Sequence, residues 1–189
     1  VYLFTGFLES GKTTFIQETL EDPAFNEGQK TLLLVCEEGE IEYSPIKFAS
    51  SNVKIVMVDE EEDLTGEFLQ KLQKEIGFER VVCEFNGMWS LDSLYSSMPD
   101  GWTVYQEMCF VDATTFMNYN ANMRSLVVDK LNTCELVVFN RFTKDMDKME
   151  FHKIVRAVSR RTDIAYEYTD GKVEYDDIED PLPFDINAP

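Results

Sequence analysis

The sequence predicts an α/β fold, a Rossmann-like and mostly parallel sheet with helices on both faces. Three observations predict it. Short apolar runs alternate with segments of helical period along most of the chain. One run, Thr31–Cys36 (TLLLVC), is apolar throughout, as a strand buried on both faces must be. The third is Gly6-x-x-x-x-Gly11-Lys12-Thr13, set between the first strand-like run and the first helical one.

Val1–Thr5 reads as a strand, followed by the glycine-rich loop and a helix through about Glu21. Pro23 and Gly28 break the chain before the Thr31–Cys36 strand, and Val53–Val58 is the next strand. Apolar residues Leu64, Phe68, Leu69, Leu72 and Ile76 follow a helical period. Arg80–Phe85 and Trp102–Val111 read as strands, Phe116–Leu131 as a helix and Leu136–Phe139 as a strand. Phe151–Arg161 is helical, and Ile164–Tyr168 is a strand. Thr169-Asp170-Gly171-Lys172 then predicts a hairpin into Val173–Tyr175. Residues 1–175 form one domain in this reading. Residues 176–189 are an acidic, proline-containing tail, with the composition of a linker to a C-terminal domain.

Composition limits the function. With 17 Lys+Arg against 36 Asp+Glu in 189 residues, the net charge is −19. Nucleic-acid grooves and anionic membranes need a basic face, so neither is expected as a partner. There is no run of about 18 apolar residues that could span a bilayer. Cys36, Cys83, Cys109 and Cys134 are scattered without paired spacing, which predicts a reducing, cytoplasmic setting. His152 is the single histidine, which excludes a histidine-rich metal site.

The loop has a physical logic. Gly6 and Gly11 allow backbone angles that turn successive N–H groups towards an anion. Glu9, Ser10 and Thr14 complete the loop, and the following helix adds its positive N-terminus. Lys12 is placed to reach the β- and γ-phosphates, and the Thr13 hydroxyl to bind Mg²⁺. Hydrolysis would also need a carboxylate by the metal and a group to hold water. Candidates belong at other strand ends. Two stretches qualify: Cys36-Glu37-Glu38-Gly39-Glu40, and Glu84-Phe85-Asn86-Gly87. Thr13, Glu37 and Glu84 are therefore expected around Mg²⁺, with Lys12, Glu37 and Glu84 catalytic. Which acid holds the water stays open.

GFLESGKTT, CEEGE, CEFNGMW, FVDA (Phe110–Ala113) and LVVFNR (Leu136–Arg141) together resemble the ordered motifs of the CobW-type P-loop GTPases. Nickel-, cobalt- and zinc-insertion GTPases are relatives of that group. The family patterns are GFLGAGKTT, NEFGE, E-[TS]-[ST]-G, VVDA and NK-x-D. The resemblance runs from Val1 to about Tyr168. It implies Mg²⁺-dependent GTP hydrolysis, Asn140 and Arg141 at the base, delivery of metal to client proteins, and possible dimers.

The departures are as informative. Asn140-Arg141-Phe142-Thr143 stands where the family has Asn-Lys-x-Asp. Thr143 cannot accept two hydrogen bonds as a carboxylate does, so guanine preference should be weaker or differently built, with ATP a competitor. Asp145 and Asp147 lie near at the wrong spacing. The family's C-x-C-C metal segment is replaced by Asp59-Glu60-Glu61-Glu62-Asp63, which removes soft thiolate capture there. Cys36 is the one thiol near a motif that could face the nucleotide loops. Glu9 stands where the family has Gly. The leading expectation is a slow Mg²⁺-dependent nucleotidase switch, moving Glu37–Tyr43 and Asn86–Leu91 for a client or a C-terminal domain. The alternatives are a kinase-like phosphotransferase using Arg156, Arg160 and Arg161, or a nucleotide-sensing module without turnover.

Overall fold

The computed structural model describes residues 1–7, 9–37, 39 and 41–179. Eight strands form one sheet: β1 (Tyr2–Gly6), β2 (Thr31–Val35), β3 (Val53–Met57), β4 (Arg80–Glu84), β5 (Gln106–Asp112), β6 (Leu136–Phe142), β7 (Asp163–Tyr168) and β8 (Val173–Tyr175). Their order is β3-β2-β4-β1-β5-β6-β7-β8. All neighbours are parallel except the β7–β8 hairpin. The chain winds outwards from β1 to one side through β2–β4, then to the other through β5–β8. The order reverses at β1, so the C-terminal ends of β4, β1 and β5 border the crevice where such sheets bind ligands.

The helices are α1 (Lys12–Glu21), α2 (Gly66–Ile76), α3 (Asp92–Tyr95), α4 (Phe116–Asn122), α5 (Arg124–Thr133) and α6 (Lys148–Val158). Alternate strand residues go to opposite faces. Phe4, Leu33, Val35, Val82, Phe110 and Val138 pack on the α1 side with Ile16 and Leu20. On the other face, Leu32, Leu34, Cys83 and Phe85 pack with Leu69 and Leu72 of α2. Val137, Phe139 and Tyr166 pack there with Val127, Leu131, Phe151 and Val155 of α5 and α6. Among the described residues no helix is long and apolar enough to cross a membrane.

Several expected boundaries move. The strand expected at Trp102 starts at Gln106, because Trp102 packs edge-on against Phe78 and its Nε1 donates to Gln73 of α2 at 3.3 Å. The helix expected over Phe116–Leu131 is two, with Met123 between them at φ −131° and ψ 43°. Asn118, Asn120 and Asn122 weaken that stretch, and Asn122 Nδ2 donates to the Asn118 carbonyl at 2.9 Å. The last helix starts at Lys148, capped by the Asp147 carboxylate on Met149 N–H at 2.9 Å. It ends at Val158, short of Arg161. The short α3 has no counterpart in the sequence reading. Asp176, read as tail, is buried between His152 Nδ1 (3.1 Å) and the Tyr166 hydroxyl (2.6 Å). The rest of that tail, residues 180–189, lies outside the described residues.

Candidate functional site

The phosphate-loop sequence folds into a cradle because its glycines are needed where they stand. Gly6 has φ 134°, and a Cβ there would lie 2.1 Å from the Phe110 carbonyl. Gly11 has φ 92° and is the residue from which α1 starts. Glu9 also adopts the left-handed region, at φ 59°, with its side chain exposed. Ser10 N–H donates to the Phe7 carbonyl at 3.2 Å. The Ser10 hydroxyl is buried with no partner, a polar atom set into the loop wall. Gly87 of the CEFNG stretch lies so close that a Cβ would fall 2.4 Å from the Gly6 carbonyl. Strands β4 and β1 thus press their end loops together, and only glycine fits.

Charge concentrates at this cradle. Lys12 is 2% exposed, yet its Nζ donates to the carbonyls of Gly6 (2.6 Å) and Phe7 (3.0 Å) and pairs with Glu37 at 2.5 Å. Burial raises the Glu37 pKa, partly offset by Lys12 and reinforced by the nearby Glu84 charge. Glu84, 2% exposed at the end of β4, accepts the Thr13 hydroxyl at 2.9 and 3.0 Å on its two oxygens. The Tyr43 hydroxyl donates to the same carboxylate. Burial and the Glu84 charge raise the Tyr43 pKa well above its ordinary value. Thr13, Glu37 and Glu84 offer a hydroxyl and two carboxylates, hard oxygen donors of the kind Mg²⁺ takes. Glu9, Ser10, Gly11, Lys12, Thr13 and Thr14 share one pocket with Glu37, Glu84 and Arg141. The sequence placed Tyr43 at the end of the segment expected to move, Glu37–Tyr43, but gave no sign of its bond to Glu84. Glu38 and Glu40 lie outside the described residues.

The base side is built differently. Asn140 Nδ2 donates to the Ser10 carbonyl, tying β6 to the loop, while its buried Oδ1 has no partner. Arg141 sits at φ 53° and pairs with Asp112 of β5. Burial alone would raise the Asp112 pKa, but bonds from Thr114 and Arg141 hold it below its usual value. The Thr143 hydroxyl donates to Asp145, and Asp147 caps α6. None of these three lines the groove beside Asn140.

Other expected groups are elsewhere. Cys36 does not face the loops: it is 1% exposed in the core with Leu34 and Phe85. Asp59–Asp63 form an exposed turn and a 3₁₀ turn ahead of α2. Among the described residues, no three His, Cys, Asp or Glu side chains converge to hold a metal ion. Arg156 donates to the Ser159 and Thr162 carbonyls, at the edge where β7 begins and opposite the loop. That placement removes the arginines of the phosphotransferase alternative from the pocket.

The nucleotide-binding domain model of the CobW/HypB/UreG family matches residues 1–165. The chain belongs to the CobW/HypB/UreG family. The resemblance read from GFLESGKTT, CEFNGMW and LVVFNR is therefore correct. Among curated proteins, none matches this sequence. Solved structures similar in fold include a zinc-bound triple mutant of the YjiA GTPase, at 19% identity and TM-score 0.63 over 92% of this chain and 58% of that one. The zinc-bound YjiA GTPase from E. coli is similar at 20% identity and TM-score 0.59, over 86% of this chain and 55% of that one. The hydrogenase maturation factor HypB from Archaeoglobus fulgidus is similar at 14% identity and TM-score 0.55, over 87% and 80%. The chain spans little more than half the length of the YjiA structures. As a CobW/HypB/UreG nucleotide-binding domain, it places its loop, Glu37, Glu84 and Asn140 at one edge of one sheet.

Proposed function

We propose that this domain binds GTP with Mg²⁺ and hydrolyses it slowly, as a switch. The observation that supports this reading best is the Thr13 hydroxyl seated 2.9 to 3.0 Å from both oxygens of buried Glu84, beside the Lys12–Glu37 pair. Bound Mg²⁺ would supply charge neutralisation between the phosphates. Thr13 and Glu84 would hold it, directly or through water. Lys12 would exchange its loop carbonyls for phosphate oxygens. Glu37, next to Lys12, would orient water near the terminal phosphate.

Tyr43 ties the segment after Glu37 to Glu84, and Gln17 Nε2 ties it to α1 through the Ser44 carbonyl at 3.1 Å. A change at Glu84 would therefore move residues 41–48, the surface a client protein, a C-terminal domain or a second subunit would read. The family's metal-insertion members suggest a cytoplasmic metal-delivery pathway as the setting. Phosphate release from purified protein, with GTP and with ATP and with and without Mg²⁺, tests the reading. Turnover should require Mg²⁺ and disappear in Lys12→Ala. Metal-independent turnover, or turnover that survives Lys12→Ala, would overturn it.

A further inference from the structure

The family reads guanine with a carboxylate where this chain has Thr143, and Thr143 is committed to Asp145 outside the groove. The groove nevertheless contains a carboxylate from another strand. It measures about 320 Å³ and is walled by Thr14, Phe15 and the exposed Glu18 of α1, Asn140 and Arg141 of β6, and Glu167 at the end of β7. That volume lies within the range of small-molecule sites.

The register of β7 decides which way Glu167 faces. Ala165 packs in the cluster on the α1 side, whereas Ile164 and Tyr166 pack on the opposite face. Glu167, two residues after Ala165, therefore faces α1 and the phosphate loop. It is half-buried, and among the described residues its carboxylate has no hydrogen bond or ion pair. Asn140 lines the same groove, its Oδ1 buried and without a partner among the described residues. The groove thus sets the half-buried, unengaged Glu167 carboxylate opposite Phe15 of α1, next to a loop that fixes phosphates.

We propose that Glu167 reads the Watson–Crick edge of the base and makes this groove selective for guanine. The inference rests on the nucleotide-binding reading above. Guanine presents N1–H and the N2 amino group side by side, two donors that match the two oxygens of a carboxylate. Adenine places a lone pair at N1, which a carboxylate repels. The work done by an aspartate after β6 elsewhere in the family is here moved to the neighbouring strand end.

The test is titration calorimetry of GTP, ATP and xanthosine triphosphate, each with Mg²⁺, on the unmodified chain and on Glu167→Gln. Xanthine carries a carbonyl where guanine has its amino group, and a glutamine amide can donate to that carbonyl. The unmodified chain should prefer GTP. In Glu167→Gln the GTP-to-xanthosine-triphosphate affinity ratio should fall by about tenfold to a hundredfold, the effect of one hydrogen bond to a charged group. ATP affinity should not fall, because the carboxylate that repels adenine N1 is gone, and its retention would show the fold and phosphate loop intact. A ratio that moves by less than about twofold overturns the proposal, as does a shift produced by Glu18→Gln instead. Inosine triphosphate on the unmodified chain, which needs no variant, should bind about tenfold more weakly than GTP because it lacks the amino group. Equal affinity overturns the assignment. Failure of the unmodified chain to bind any of these nucleotides overturns the nucleotide reading itself, a result distinct from the loss of base preference alone.

Discussion

Glu84 and Glu107 make almost the same contacts at opposite edges of one sheet. Each is 2% exposed on a strand next to β1. Glu84 accepts from the Thr13 and Tyr43 hydroxyls; Glu107 accepts from the Thr133 (2.6 Å) and Tyr95 hydroxyls. Burial raises the Glu107 pKa, with the two hydroxyls acting against it. Their surroundings differ. Glu84 closes β4 at the C-terminal edge, beside the glycine cradle, Lys12 and the N-terminus of α1. Glu107 is near the start of β5, beside the end of α5, and among the described residues no cationic side chain is bonded to it. A buried, hydroxyl-bonded acid is thus not a site in itself. The edge it occupies, and what converges there, decide its role.

The largest effect expected at the Glu84 edge comes from Lys12→Ala. It should weaken Mg²⁺–GTP binding by at least about a hundredfold, because the phosphates lose their main counter-charge. It also leaves Glu37 buried and unpaired, so unfolding must be measured alongside binding. Affinity within about threefold of the unmodified chain would remove Lys12 from the phosphate site.

Next, Glu84→Gln should lower turnover by about 10² to 10³ while GTP affinity stays within about threefold, since shape is kept and charge is lost. Glu107→Gln should leave turnover within about twofold. Equal losses of turnover in the two variants would break the distinction between the edges. A third variant, Gly87→Ala, would push its Cβ into the Gly6 carbonyl and should weaken nucleotide binding about tenfold. Binding that is unchanged would mean the contact between the two loops is soft.

The smallest effect is on stability. The folded Glu107 pKa lies above its ordinary 4.5, so its protonated form is the one the fold favours. That contribution is fully present below pH 4.5 and is lost as pH rises through the folded value. Glu107→Gln should therefore flatten the fall of stability with pH above 4.5 and raise the Tm near neutrality, the smallest of these effects. Parallel Tm–pH curves for variant and unmodified chain would show that Glu107 does not titrate in that range. For Glu84, whose role is assigned to metal and phosphate, the matching test is the Mg²⁺ dependence of turnover.

What the sequence determined by itself was whatever neighbours in the chain dictate. Period and turn chemistry gave the parallel sheet, and Gly6-x-x-x-x-Gly11-Lys12-Thr13 gave the cradle, because a loop of successive residues fixes its own backbone angles. Glu84 was legible as an acid closing an apolar strand; Glu107, which opens one, was not singled out, and its burial between two hydroxyls came only with the fold. Tertiary structure decided the rest. It turned Cys36 into the core, split the helix at Met123, set Tyr43 on Glu84 and brought Asn140 to Ser10, 130 positions away. It also placed Glu167 in the groove that Thr143 does not line. Strand order and register settle these placements, since parallel strands bring together residues far apart in sequence and a shift of one residue sends a side chain to the other face.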